Sequence, residues 1–158
     1  MKKIVVYTDG ACSGNQYKKN VGGWGAIILD DSQKVLKKIS GKAKNTSNNK
    51  MELTAVIKAL QYIKESIYDK EQQTSLEINL YSDSAYIVNC FKKKWIDKWQ
   101  RNGWRTSSGK PVKNKKYWVA LLNWMERPYF NVNIKKVEAH AGHKYNEIAD
   151  RLAVQAMK

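Results

Sequence analysis

Leu76-Glu77-Ile78-Asn79-Leu80-Tyr81-Ser82-Asp83-Ser84 is the stretch on which the fold of this chain turns. Leu76, Ile78 and Leu80 alternate with more polar neighbours, the period of a strand with one face on a core. Asp83 and Ser84 break that period, and a helix is expected near Ser84–Phe91. Upstream, residues 3–9 read as a β-branched strand, 22–29 as a second and Val35 to Lys42 as a third, joined by Gly, Asn and Asp turns. Between them and Leu76, the residues Leu53, Val56, Ile57, Leu60, Ile63 and Ile67 recur at helical spacing, with Asn49 as the expected N-cap. Downstream come a basic, Trp-rich helical stretch, a helix from about Lys116 to Arg127 ended by Pro128, a fifth strand from Val132 to Glu138, and a closing helix from Glu147 to Met157. Strands first, then strand–helix alternation, predict an α/β chain with a mixed sheet and helices on its faces. The connections from strand one to four and from four to five should be right-handed crossovers.

At 158 residues the chain fits a single domain, and 42% hydrophobic with 27% charged residues excludes a disordered polypeptide. Its 29 Lys and Arg against 14 Asp and Glu leave a net charge of +15, more than solubility requires, which points to a polyanionic partner. Nucleic acid and an anionic membrane both fit that charge. No apolar run approaches the roughly 18 residues a membrane crossing needs, so no membrane partner is expected. Met1 to Tyr7 imitates the start of a signal peptide, but the apolar part stops at Thr8-Asp9 and alternates like a strand. Cys12 and Cys90 alone make neither a disulfide framework nor a zinc site, so a reducing cytoplasm is the expected compartment.

In so basic a chain the acids beside apolar segments merit individual weighing. Asp9 ends the first strand and Asp83 the fourth; if these are parallel neighbours, both carboxylates reach the edge where open α/β sheets bind ligands. Each also has an ordinary explanation, Asp9-Gly10 as a turn and Asp83 as a helix cap. Glu52 leans toward the sheet from the first turn of the first helix, yet Asn49 with Glu52 also matches a capping box. Asp150 lies off the apolar face of the last helix, has Glu147 at i−3, and has no cation at i±3 or i±4. Gathered together, four carboxylates would repel one another unless a cation neutralised them, and oxygen-only ligands suit Mg²⁺ or Mn²⁺. His140-Ala-Gly-His143 follows the fifth strand; with no Cys cluster nearby, a loop histidine there suits proton transfer better than zinc.

Residues 92–116 hold ten cations, among them Lys92, Lys93, Lys94, Lys98, Arg101 and Arg105, against one acid, Asp97. That is +9 of the +15. Trp95, Trp99 and Trp104 are interleaved; Trp95 and Trp99 share a helical face at i,i+4 and are expected to pack on another helix. Clustered cations of this kind fit phosphate contacts with strong salt dependence and little sequence selectivity.

These residues together carry a resemblance. Tyr7-Thr8-Asp9-Gly10-Ala11-Cys12-Ser13-Gly14-Asn15, Asn48-Asn49-Lys50-Met51-Glu52-Leu53, Tyr81-Ser82-Asp83-Ser84-Ala85-Tyr86, and His140-Ala141-Gly142-His143 through Asn146-Glu147-Ile148-Ala149-Asp150 resemble type 1 ribonuclease H, the bacterial ribonuclease HI. Trp95 to Arg105 resembles that family's basic protrusion, and the similarity spans the chain with its motifs in order. The resemblance implies a ribonuclease H-like three-layer α/β fold. Its five-stranded mixed sheet has order 3-2-1-4-5, with strand 2 antiparallel and helices on both faces. It implies one ribonuclease H domain over 1–158, with a protrusion at about 92–116. It implies endonucleolytic cleavage of the RNA strand of RNA–DNA hybrids, leaving 5′-phosphate and 3′-hydroxyl ends. It places an acidic quartet at Asp9, Glu52, Asp83 and Asp150, holding two Mg²⁺ about 4 Å apart, with Mn²⁺ able to substitute. His140, rather than His143, matches the loop histidine associated with proton transfer or product release. Asn15, Asn48 and Asn49 would contact the minor groove, and the protrusion, with Lys92, Lys93, Lys94 and Trp95, Trp99 or Trp104, would hold the DNA strand. One departure is Ala85, where the familiar bacterial version has Gln. The resemblance also implies a chain without the separate N-terminal hybrid-binding domain of eukaryotic relatives, a monomer without a protein partner. Two other classes compete: a non-catalytic hybrid-binding module, and another nuclease of this fold such as an integrase or junction resolvase. The intact quartet disfavours the first, the Asn48-Asn49 and protrusion motifs the second.

Overall fold

A computed structural model describes residues 2–14, 20–137 and 144–158. Five strands, β1 (Lys2–Ser13), β2 (Val21–Asp30), β3 (Val35–Lys44), β4 (Leu76–Ser82) and β5 (Phe130–Lys136), form one sheet in the order β3-β2-β1-β4-β5. β1 pairs antiparallel with β2 and parallel with β4; β2 pairs antiparallel with β3, and β4 parallel with β5. This is the expected mixed sheet, with strand two running against the rest. Five helices complete it: α1 (Asn48–Ser66), α2 (Ala85–Lys92), α3 (Trp95–Arg101), α4 (Lys115–Met125) and α5 (Lys144–Ala156).

Strand alternation builds the layers. Ile4, Val6, Ala26, Ile28, Ile78 and Leu80 point to one face and are fully buried with Leu53, Val56, Leu60 and Ile63 of α1. α2, α3 and α4 extend that core through Ile87, Cys90, Ile96, Trp118 and Leu121. On the opposite face α5 lies against β2 and β1, buried through Ala149 and Ala153. Its approach depends on glycine. A Cβ at Gly25 would stand 2.6 Å from Leu152 Cβ and 2.8 Å from the Ala149 carbonyl, and one at Gly23 would collide with the Ala153 carbonyl. Among the described residues, no helix is long and apolar enough to cross a membrane.

Several boundaries differ from the sequence reading, each for a local reason. β1 does not end at Asp9: it keeps its antiparallel partner as far as Ser13↔Val21, whereas its parallel pairing with β4 ends at Thr8↔Ser82. Asp9-Gly10 is therefore strand, not turn. Gly10 is needed for closeness: a Cβ there would strike the Glu52 amide and stand 2.6 Å from the Met51 carbonyl carbon. The N-cap of α1 is Ser47, whose hydroxyl accepts from the Lys50 N–H at 3.2 Å, so Asn49 is inside the helix and Glu52 beyond its first turn. Ser84, not Asp83, caps α2, its hydroxyl accepting from the Ile87 N–H at 3.2 Å.

Candidate active site

Asp9, Glu52 and Asp83 reach one point from three elements. Asp9 stands on β1 opposite Gly25, one step past the last residue paired with β4. Asp83 follows the last residue of β4, so the two parallel neighbours deliver their carboxylates to one edge. Glu52 arrives on α1, drawn against β1 by the bare backbone of Gly10. Among the described residues these three form a metal-capable group, each offering a carboxylate oxygen, the oxygens lying within 4.8 Å of one another. Asp150 approaches from the opposite face on α5, outside that group of three but near enough to raise the Asp9 carboxyl and to repel the charge of Asp83. It remains exposed. Glycine on β2 brings α5 this close, and through α5 Asp150.

Burial and mutual repulsion set the electrostatics. Asp9 is 6% and Glu52 7% exposed. Burial first, then the charges of Glu52 and Asp83, push the Asp9 carboxyl up to about 9. Burial also lifts Glu52, to about 7; hydrogen bonding with Asp9 is the largest offset, Asp83 adds to the rise, and the Gly10 amide and Ser84 hydroxyl oppose it. Asp83 is raised as well, by burial first and then by Asp150. Such a site is costly with protein atoms alone. Glu52 Oε1 is buried with no protein hydrogen-bond partner, an acceptor left open toward its neighbours. An orphaned oxygen inside a set of hard oxygen donors suits a divalent cation such as Mg²⁺ or Mn²⁺, which would lower all these carboxyls together.

The basic stretch runs from the last residue of α2 through α3 and its flanking loops to the start of α4. Lys92, Lys93 and Lys94 are exposed, and among the described residues none of the ten cations of 92–116 forms an ion pair. The three tryptophans divide. Trp95 is 37% exposed, with the Lys93 ammonium 5.2 Å from its ring centre. Trp99 is half-buried, its ring 6.1 Å from Trp104 and 6.2 Å from the buried Trp118. Of this i,i+4 pair, then, Trp99 packs on the core and Trp95 does not. Ile96 is the residue α3 buries, and this turns Trp95 outward. Trp95, Trp99, Asn102 and Arg105 border a groove of about 360 Å³.

A second, larger groove has no signature in the sequence. It occupies about 610 Å³ between the amino ends of α1 and α4, lined by Ser47, Asn49, Lys50, Lys113, Asn114 and Lys116 among others. Asn114 has a left-handed backbone (φ 63°), and its side-chain amide donates to Tyr86 Oη at 3.2 Å. The same hydroxyl accepts from Trp118 Nε1 at 2.8 Å, tying α2 to α4. In the sequence Asn114 reads as one polar residue among lysines; only the turn of the chain sets it opposite Asn49. Asn48 and Asn49 are both exposed at the start of α1. Ala85 is exposed as the first residue of α2, next to Ser84. Asn15, His140 and His143 lie outside the described residues.

A family model described as RNase H matches residues 1–158. The chain is 43% identical over 158 residues to a ribonuclease H of Syntrophomonas wolfei, covering 100% of this chain and 98% of that one. Its fold is similar to the crystal structure of a type 1 RNase H with the type 2 active-site motif, at a TM-score of 0.81 and 28% identity over 99% of this chain and 72% of the other. It is similar also to an RNase H1 crystallised in complex with RNA/DNA hybrid, at a TM-score of 0.72 and 23% identity over 98% and 96% of the two chains.

Proposed function

This chain belongs to the ribonuclease H family, and on that premise we propose that it hydrolyses the RNA strand of RNA–DNA hybrids, leaving 5′-phosphate and 3′-hydroxyl ends. The observation that carries the reading is the meeting of Asp9, Glu52 and Asp83, with oxygens within 4.8 Å of one another, at the sheet edge of a protein of net charge +15. A phosphate-binding surface gains nothing from buried acids facing the phosphates unless they hold metal. Asp9, Glu52, Asp83 and Asp150 are the residues to hold two Mg²⁺, or Mn²⁺ in their place. When bound, such ions supply a nucleophile at neutral pH and charge stabilisation for the leaving 3′ oxygen.

The chain's own groups do the rest. Gly10 and the Gly23–Gly25 pair fix the carboxylates by letting α1 and α5 close on the sheet. His140 moves a proton at the reacting phosphate. Asn48 and Asn49, with Asn15, contact the minor groove, where the 2′-hydroxyl marks the RNA strand. Lys92, Lys93, Lys94 and exposed Trp95 hold the DNA strand by its backbone. The chain acts as one ribonuclease H domain over 1–158, a cytoplasmic monomer. Incubation with labelled RNA–DNA hybrid, duplex RNA and duplex DNA, in Mg²⁺ or in EDTA, tests it. Hybrid alone is cut, and only with Mg²⁺; a hybrid left intact in Mg²⁺ rejects the reading.

A further inference from the structure

The turn between β3 and α1, which presents Asn48 and Asn49, is held by one distant side chain. Asn20 enters β2 at the point where the β2–β3 ladder ends, its last pair being Val21↔Lys44. Beyond that pair the amide of Asn20 takes over the ladder. Its Oδ1 accepts from the Thr46 N–H at 2.8 Å, and its Nδ2 donates to the Thr46 carbonyl at 3.1 Å. Both backbone groups of Thr46 are thus satisfied by one side chain 26 positions away, and the Asn45 N–H donates to the Asn20 carbonyl at 3.0 Å. The fit is stereospecific, because donor and acceptor must both match the backbone of one residue.

The clamp sits at a turn of the chain. Asn45 has a left-handed backbone (φ 54°), and two residues later Ser47 caps α1. Asn48 and Asn49 are the next two residues and both are exposed. Released from Asn20, the Thr46 backbone would have the distant Sγ of Cys12, 3.8 Å from its carbonyl, as its remaining partner from outside the turn. Glu52 is secured separately. It is pinned by the contact of Gly10 with the Met51–Glu52 backbone, by Met51 against Gly22, and by Leu53 and Val56 in the core. The same helix therefore has two anchors, one for its exposed first turn and one for its carboxylate, and they adjoin at Gly22, where a Cβ would meet both Thr46 Cγ2 and Met51 Cγ.

We propose that Asn20 is a positioning residue for hybrid recognition: it fixes the turn from which Asn48 and Asn49 project, and so governs how tightly hybrid binds without governing how fast it is cut. This rests on the reading of Asn48 and Asn49 as hybrid contacts. The test measures kcat and KM on an RNA–DNA hybrid for Asn20→Ala, Asn20→Asp, Asn48→Ala and the Asn20→Ala/Asn48→Ala double variant, with amide hydrogen exchange at Thr46.

Asn20→Ala raises KM about tenfold, the loss of two hydrogen bonds, and leaves kcat within about twofold. Asn20→Asp keeps the acceptor for the Thr46 N–H but loses the donor, and gives an intermediate KM. Exchange at Thr46 quickens in the same order. In the double variant the two KM effects combine to less than their product, because they act through one turn. An unchanged KM in Asn20→Ala beside a raised KM in Asn48→Ala overturns the inference alone, as does a fall in kcat or a full product in the double variant. Should Asn48→Ala leave KM unchanged, the hybrid-contact reading fails and the inference falls with it. If Asn20→Ala does not fold, Asn20→Asp decides: faster Thr46 exchange with raised KM supports the clamp, and faster exchange with unchanged KM overturns it.

Discussion

Three carboxylates gathered at the sheet edge, Asp9, Glu52 and Asp83, and ten cations along residues 92–116 carry opposite charge, but their surroundings differ more than their sign. Asp9 and Glu52 are almost wholly buried, crowd one another, and sit far from their ordinary titration range. Lys92, Lys93 and Lys94 stand in solvent with no carboxylate partner among the described residues. In the first region low dielectric makes each charge expensive, so each residue is individually decisive and is relieved either by a proton or by a counter-cation. In the second, water screens every charge, so each is worth little and the group acts by its sum. A protein that grips a polyanion strongly and cuts it locally needs both regimes, and the fold supplies them by burying one set and leaving the other outside.

The sharpest way to break this contrast is to remove one charge from each side. Asp9→Asn should lower turnover by about 10³-fold or more, since metal-ion catalysis contributes several kcal/mol and each 1.36 kcal/mol is tenfold. Hybrid affinity, measured by filter binding in Ca²⁺ or EDTA, should stay within a few-fold. Equal losses of binding and turnover would show that Asp9 holds the fold instead of the metal.

Three charges removed from the basic stretch should do less. Replacing Lys92, Lys93 and Lys94 together with Gln should raise KM about tenfold, roughly 0.5 kcal/mol per exposed cation, and leave kcat unchanged. The slope of log affinity against log salt should shrink by up to about 0.9 for each phosphate no longer neutralised. An unaltered slope would mean that these lysines do not meet phosphate.

A further effect is on stability, and its sign follows from burial. Folding raises Asp9 from 3.8 to about 9 and Glu52 from 4.5 to about 7, so the folded state favours their protonated forms. Their contribution is complete below the ordinary carboxylate range and is lost as pH rises through about 7 and about 9. In EDTA, Asp9→Asn should therefore melt above the natural protein, by a margin that widens from pH 5 to pH 9. Each kcal/mol should appear as about 2–4 °C in Tm. Mg²⁺ or Mn²⁺ should narrow the margin by giving the natural carboxylates a counter-ion. A margin independent of pH would show that the crowding of acids is not what destabilises the metal-free protein.

Much of this was legible in the residues, though unevenly. The alternation of Leu76, Ile78 and Leu80 and the helical spacing of Leu53 to Ile63 report burial directly, and those elements stand where expected. The acids were legible only as a set. Asp9-Gly10 reads equally well as a turn, and what made it strand was a partner, β2, lying eight or more residues away in sequence. Thr46-Ser47-Asn48-Asn49 offers four residues able to cap a helix, and local chemistry does not choose among them; the pull of Gly10 and Gly22 on Met51 does. Trp95 and Trp99 have the spacing of a shared face, but α3 is seven residues long and buries Ile96 with part of Trp99, leaving Trp95 outside.

The sequence by itself determined the order of elements, the excess of positive charge, and the list of residues able to bind metal, because periodicity, charge and side-chain chemistry are local properties. Only the tertiary structure decided that Asp9, Glu52 and Asp83 share one point, that Asp150 comes near them from the other face, and that Asn20 holds the turn before Asn48. Those are relations between segments tens of residues apart. They depend on where a missing Cβ lets two backbones touch, and on which strand loses its partner first.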